Sequence, residues 1–166
     1  MNKIKILFVL LGMCLLGSCT QKGLELDFLN CSETTETQAK QYLCDTYDVE
    51  EKNIVSLNVG GSVRHLILQN VEKNNIPYRQ VSIIIDTDKD RVSGYSFELD
   101  DKYFDDVKIQ VINKFGELEK SGSSTTEMWS PKKTHTAWIY IMRSGGKVEF
   151  NYSDMNDLFN AIKKLK

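Results

Sequence analysis

The chain predicts an α+β fold: an antiparallel sheet of about seven strands with helices packed on one face, in the order α-ββββ-α-βββ-α. Three observations predict it. Apolar and polar residues alternate in short runs between positions 54 and 152, the period of strands with one covered face and one wetter face. Around 104–115 and 155–165 the apolar residues recur instead at three and four, the period of a helix. Gly60-Gly61 and Gly145-Gly146 stand between alternating runs, where hairpin turns need residues that tolerate positive φ.

Taken in order, Leu24, Leu26, Phe28 and Leu29 form an apolar entry segment. A first helix begins between Ser32 and Thr35, because Thr35-Glu36-Thr37-Gln38 has the capping-box pattern and Ala39, Tyr42 and Leu43 then share a face. A polar stretch runs from Asp45 to Asn53. Strands follow at Ile54–Val59 and Val63–Val71, then at Tyr78–Asp86, with Val81, Ile83 and Ile85 on one side. Arg91–Leu99 sets Tyr95, Phe97 and Leu99 against Ser96 and Glu98. Asp100-Asp101 opens a second helix whose Phe104, Val107, Val111, Ile112 and Phe115 form a stripe, with acids in the first turn and Gly116 after its end. Glu117 to Thr126 is polar and reads as a loop. Strands at Glu127–Ser130, Thr134–Arg143 and Lys147–Tyr152 lead to a last helix capped by Ser153, with Met155, Leu158, Phe159, Ile162 and Leu165 along it. Helix plus meander, twice over, implies two related halves in one sheet, although no residue pattern is copied between them.

The first nineteen residues carry a different signal. Lys3 and Lys5 precede an apolar run from Ile6 to Leu16, and Gly17 and Ser18 are the small residues a signal peptidase requires. The run is too short to span a hydrocarbon core of ~30 Å. Leu16-Gly17-Ser18-Cys19 resembles a bacterial lipobox, which implies cleavage after residue 18 and a lipid, diacylglycerol with palmitate or a similar acyl chain, on Cys19. Cys14 is a poorer match, because bulky Met13 precedes it. The expected organisation is a signal peptide at 1–18, a lipidated tether at 19–23 and a single α+β domain at 24–166. Several acyl chains, at about 0.8 kcal/mol per buried methylene, anchor stably where one does not. Thr20-Gln21-Lys22 places no aspartate next to the cysteine, and by resemblance to lipoprotein sorting this favours the outer membrane.

Removing 18 residues from 166 leaves 148, the size of one domain, with 19 basic and 23 acidic side chains and a net charge of −4. A mixed, mildly acidic surface argues against a nucleic-acid partner. Cys31 and Cys44 remain for an oxidising compartment, where a pair usually bridges. Yet a helix over Ser32–Leu43 separates its ends by roughly 15 Å or more, and a disulfide spans only about 4.4–6.8 Å between α-carbons. Either the helix starts late and the chain folds back along it to form a bridge, or both thiols stay separate and buried.

Three stretches carry a family resemblance. They are Phe28-Leu29-Asn30 before the first helix, Tyr103-Phe104 through Lys114-Phe115-Gly116, and Trp129, Ile139-Tyr140-Ile141, Gly146 and Val148-Glu149-Phe150-Asn151-Tyr152. Together they resemble the small outer-membrane lipoproteins of Bacteroides-type bacteria, whose fold is similar to beta-lactamase inhibitor protein and to the small outer-membrane assembly lipoproteins. The resemblance implies a fold and a location and assigns no activity. It departs from the family where Gly and Pro are missing from the entry and where no Pro follows Gly116.

Catalytic patterns are scarce. Asp86-Thr87-Asp88-Lys89-Asp90 opens like a calcium loop, but Arg91 stands at the sixth position and Phe97 at the twelfth, so an acidic hairpin tip is expected and Asp86, Asp88 and Asp90 are only a weak metal candidate. His65 and His135, the two histidines, have no ligand-spaced company and read as surface or rim residues. Gly60-Gly61-Ser62 and Ser93-Gly94-Tyr95-Ser96 lack the form of a nucleophile elbow. No phosphate-binding glycine motif and no cofactor fingerprint is visible. Trp129, Trp138, Tyr140 and Tyr152, in the last three strands, are the candidate binding residues. The expectation is a membrane-anchored, non-catalytic envelope lipoprotein that binds a protein. A glycan- or small-ligand-binding accessory protein is the second reading, and an envelope-acting enzyme the third.

Overall fold

The structure, a computed structural model, describes residues 24–123, 125–133 and 136–156. Cys19, the signal segment, His135 and all but the start of the last predicted helix lie outside them. The described chain is α+β, with one eight-stranded antiparallel sheet and two α-helices. Helix α1 (Glu36–Tyr47) precedes strands β1 (Val55–Gly60), β2 (Val63–Lys73), β3 (Ile76–Asp86) and β4 (Arg91–Asp100). Helix α2 (Phe104–Phe115) precedes β5 (Leu118–Gly122), β6 (Glu127–Pro131), β7 (Ala137–Ser144) and β8 (Lys147–Asp154).

The spatial order β1-β2-β3-β4-β8-β7-β6-β5 joins two four-stranded meanders through an antiparallel β4–β8 seam, in register from Gly94 opposite Ser153 to Asp100 opposite Lys147. The strand count is eight and not seven. The extra strand is β5, in the segment read as a loop. It carries a single apolar residue, Leu118, and as an edge strand it needs only backbone pairing to β6 and no buried face.

Local chemistry sets the boundaries. Thr35 caps α1 with both halves of a capping box to Gln38, as the sequence predicts, and Asp48 ends it in the left-handed conformation at φ 50°. Asp100 accepts from the Lys102 N–H and starts a short 3-10 turn (Asp101–Tyr103) that leads into α2. Gly116, at φ 89°, closes α2 by donating to Ile112. Ser153 does not cap a helix. It lies in β8, paired with Gly94 of β4 and Trp138 of β7, and the Asp154 carboxylate takes the Asn156 N–H instead.

Both helices pack on one face of the sheet. Ala39 and Leu43 of α1, and Val107 and Val111 of α2, are fully buried against Leu66, Ile83, Leu99, Ile141 and Phe150. Each such aliphatic or aromatic side chain contributes about 1.5–3 kcal/mol relative to exposure. Phe150 lies at the centre, stacked on Phe97 at 5.1 Å and met edge-on by Phe28 at 5.9 Å. The entry segment crosses α2, where Gln110 donates to the Leu24 carbonyl and accepts from the Leu26 N–H. A bulge opposite the Ile84–Ile85 step lets both Val92 and Tyr95 of β4 face the core although they are three residues apart.

Cys31 and Cys44 are both free thiols in this structure. Burial, helped by the nearby Asp154 carboxylate, pushes the Cys31 thiol up to about 12, so it stays protonated and unreactive.

Candidate functional site

The strand period of two divides the predicted aromatic set. Trp129 pairs with Ile141, and Tyr152 with Ile139, both buried on the helix side, so Trp129 and Tyr152 belong to the covered face. Tyr152 stacks on Tyr95 at 5.2 Å, and the Lys108 ammonium of α2 sits 3.6 Å above the Trp129 ring. Trp138 and Tyr140 point to the other face, which no helix covers among the described residues. Their rings lie 5.7 Å apart, and Trp138 is 58% exposed. The predicted four-residue binding face therefore reduces to these two, because one register places alternate residues on opposite faces.

Two rows of paired residues cross this open face. One runs Leu57, His65, Ile84, Gly94, Ser153, Trp138; the next runs Val55, Ile67, Ser82, Ser96, Asn151, Tyr140. Between β3 and β7 the floor consists of Gly94, Ser96, Asn151 and Ser153, nothing larger than asparagine. Aromatic rings rise on the β7 side and Ile84 and Ile67 on the β2–β3 side. Three strand spacings separate β3 from β7, about 14 Å, so the floor forms a shallow trough along the β4–β8 seam. The sequence hid this trough, because its residues come from five strands and only the seam brings Gly94 and Ser153 together.

One end of the trough is charged. Lys147 Nζ meets Glu98 at 2.6 Å, and the Tyr140 hydroxyl donates to Glu149 at 3.3 Å. Partial burial first, and then the Glu149 charge, raise the Tyr140 pKa, so the phenol keeps the proton it donates. Beside the floor, on β3 and β2, Ser82 Oγ lies 3.3 Å from His65 Nδ1. This serine is buried within a strand, and among the described residues no third group orients the imidazole as an acid–base relay would require.

The other predicted chemistry is spent on turns. Asp86 accepts from the Asp88 N–H and pairs with Lys89 at 3.2 Å, Asp88 accepts from Ser62, and Asp90 accepts from the Glu36 N–H at the start of α1. The three carboxylates serve separate partners, and no group of three or more metal-ligating side chains converges among the described residues. Beneath α1, Tyr42, Tyr78, Tyr95, Asp27 and Lys73 line a cavity of about 20 Å³, room for one water-sized molecule and no substrate. An open hollow of about 310 Å³ near Asp101, Glu127 and Arg143 is lined by charges already paired: Arg143 with Asp101 at 2.6 Å, and Glu127 with Lys120.

Compared with known proteins, the chain matches no family model, no curated protein and no solved structure. None of the described helices is long and apolar enough to cross a membrane.

Proposed function

We propose that this chain is an outer-membrane lipoprotein of the cell envelope, held by lipid on Cys19, that binds a protein partner in the open trough of its sheet without catalysing a reaction. The observation that carries the reading is the trough itself: a floor of Gly94, Ser96, Asn151 and Ser153 beside the exposed Trp138 and the half-buried Tyr140. The small side chains of Ser96, Asn151 and Ser153, beside the buried Gly94, let a partner approach closely. The paired rings supply large contact area at one wall, where interface energy concentrates. The repeated helix-plus-meander layout supports the reading of two related halves, whose shared seam forms the site.

A photo-crosslinking residue in place of Ser96, in the full chain within its native envelope, tests this. A defined protein adduct is expected, weakened about tenfold or more by Trp138→Ala with Tyr140→Ala, as loss of an aromatic hot spot implies. A crosslinker at Glu119 on β5 should give no such adduct. Adducts unaffected by the double substitution would remove the aromatic wall from the interface. The same ring pair beside Asn151 and Glu149 also suits sugar stacking. Retention of a glycan by the chain, lost with Trp138→Ala, would favour the glycan-binding reading over the protein-binding one. The anchor has its own test: mass spectrometry of the processed chain, which should begin at acylated Cys19.

A further inference from the structure

The sheet has two edges, and they are built differently. β5, the far edge, carries Glu119 and Lys120, charges that resist pairing with another strand. β1 reads Val55-Ser56-Leu57-Asn58-Val59-Gly60, with no charge and no proline, and all six residues are exposed. Four of the large hydrophobic side chains left exposed lie here on adjacent strands: Val55 at 57%, Leu57 at 52%, Val59 at 59% and Val63 at 39%. The bulge that would deflect an incoming strand begins only after Asn58. An edge strand presents a row of unpaired N–H and C=O groups, and one this apolar and uncharged is a pairing template.

We propose that β1 pairs with β1 of a second copy, antiparallel about a two-fold axis through Leu57. The order of the strand suits a second copy, because it reads alike in both directions from Leu57 (apolar, polar, apolar, polar, apolar) and is therefore complementary to itself about a two-fold axis. Antiparallel pairing about that residue sets Leu57 opposite Leu57 and Ser56 opposite Asn58, apolar with apolar and polar with polar, and brings Val55 to the bulged Val59 at either end. Val55, Leu57, Val59 and Val63 of both copies then merge into one patch on the open face. β1 itself brings no charge to the approach. The cation beside the strand, Arg64, is neutralised by Glu36 at 2.8 and 2.9 Å and held by Asn58 at 3.0 Å. A five-residue seam is small beside the ~1,200–2,000 Å² of a stable complex, so the pairing is reversible and weak, on the order of micromolar or above.

Opposed residues of an antiparallel pair have α-carbons about 4.5–5.5 Å apart, within disulfide range. In the full chain in mild detergent, Leu57→Cys is therefore expected to form a covalent dimer under oxidation at least tenfold faster than Trp138→Cys, an equally exposed position far from the edge. The unsubstituted chain, with its own Cys31 and Cys44, sets the background. Sedimentation should show a monomer–dimer equilibrium that Leu57→Lys shifts to monomer at tenfold higher concentration. Leu57 is half exposed, so an unchanged circular dichroism spectrum is expected for that variant. Equal crosslinking of the two cysteine variants, or a chain that stays monomeric at every concentration, would overturn the proposal. Open-ended oligomers insensitive to Leu57→Lys would do the same. None of these outcomes depends on the trough binding a partner.

Discussion

Outward from the β4–β8 seam, the first half runs through β3 and β2 to β1, and the second through β7 and β6 to β5. The two halves share a layout and differ in how they are filled. β2, β3 and β4 are 11, 11 and 10 residues long and bury aliphatic side chains under α1. β5 and β6 have five residues each, and Trp129 of β6 is covered by Phe104 and the Lys108 ammonium of α2 instead of by a second aliphatic layer. On the open face the first half contributes Val55, Leu57 and Ile84, and the second contributes Trp138 and Tyr140. The difference teaches that a repeated layout fixes where elements lie and leaves surface chemistry free to diverge at the strands farthest from the shared core.

The largest expected effect breaks or upholds the shared core. Phe150 is fully buried and touches aromatic rings from the entry segment and from β4. Phe150→Ala should cost about 3–5 kcal/mol. Because the ring serves both halves, urea unfolding should remain one transition by both fluorescence and circular dichroism. Two separate transitions would show that the halves are independent units that merely abut.

A smaller effect sharpens the seam. A Cβ on Gly94 would stand 2.6 Å from the Tyr152 carbonyl oxygen of β8, closer than any relaxed contact. Gly94→Ala should therefore destabilise by about 1–3 kcal/mol through forced strand separation. It should also raise hydrogen exchange along β4 and β8 more than along β2. Uniform acceleration across the sheet would contradict a local origin.

The smallest effect concerns the hydrogen-bonded pair that ties the start of α2 to β7. Arg143 donates to both Asp101 oxygens, at 2.6 and 2.8 Å, and holds the Asp101 carboxyl below its ordinary value. A folded pKa below the unfolded one means that the contribution is present above the unfolded carboxylate pKa of about 3.9 and is lost as pH falls through the folded value. Asp101→Asn should lower the urea midpoint slightly near neutral pH, and the difference from the unsubstituted chain should vanish in acid. The effect is small because water and salt screen this exposed pair. A difference that persists in acid would assign the loss to the asparagine itself.

Much of this was legible from residue order. The Thr35–Gln38 box, the Gly60-Gly61 turn, the stripe of α2 and the alternation of β3, β4 and β8 report backbone and burial preferences that act within a few residues. β5 was not legible, because Glu119, Lys120 and Ser121 show no buried face. The aromatic set was legible as a group and not as a site, since Trp129 and Trp138 lie on separate strands whose relative register no local pattern states.

By itself, the sequence determined the class of the fold, the positions of both described helices and seven of the eight strands, because hydrophobic period and turn chemistry are local properties of the chain. Which strands became neighbours across the seam, which aromatics reached the open face and which uncharged strand became an edge follow from the assembled sheet. Those features join residues distant in sequence, and strand pairing between distant segments is settled by packing of the whole core and not by any one stretch.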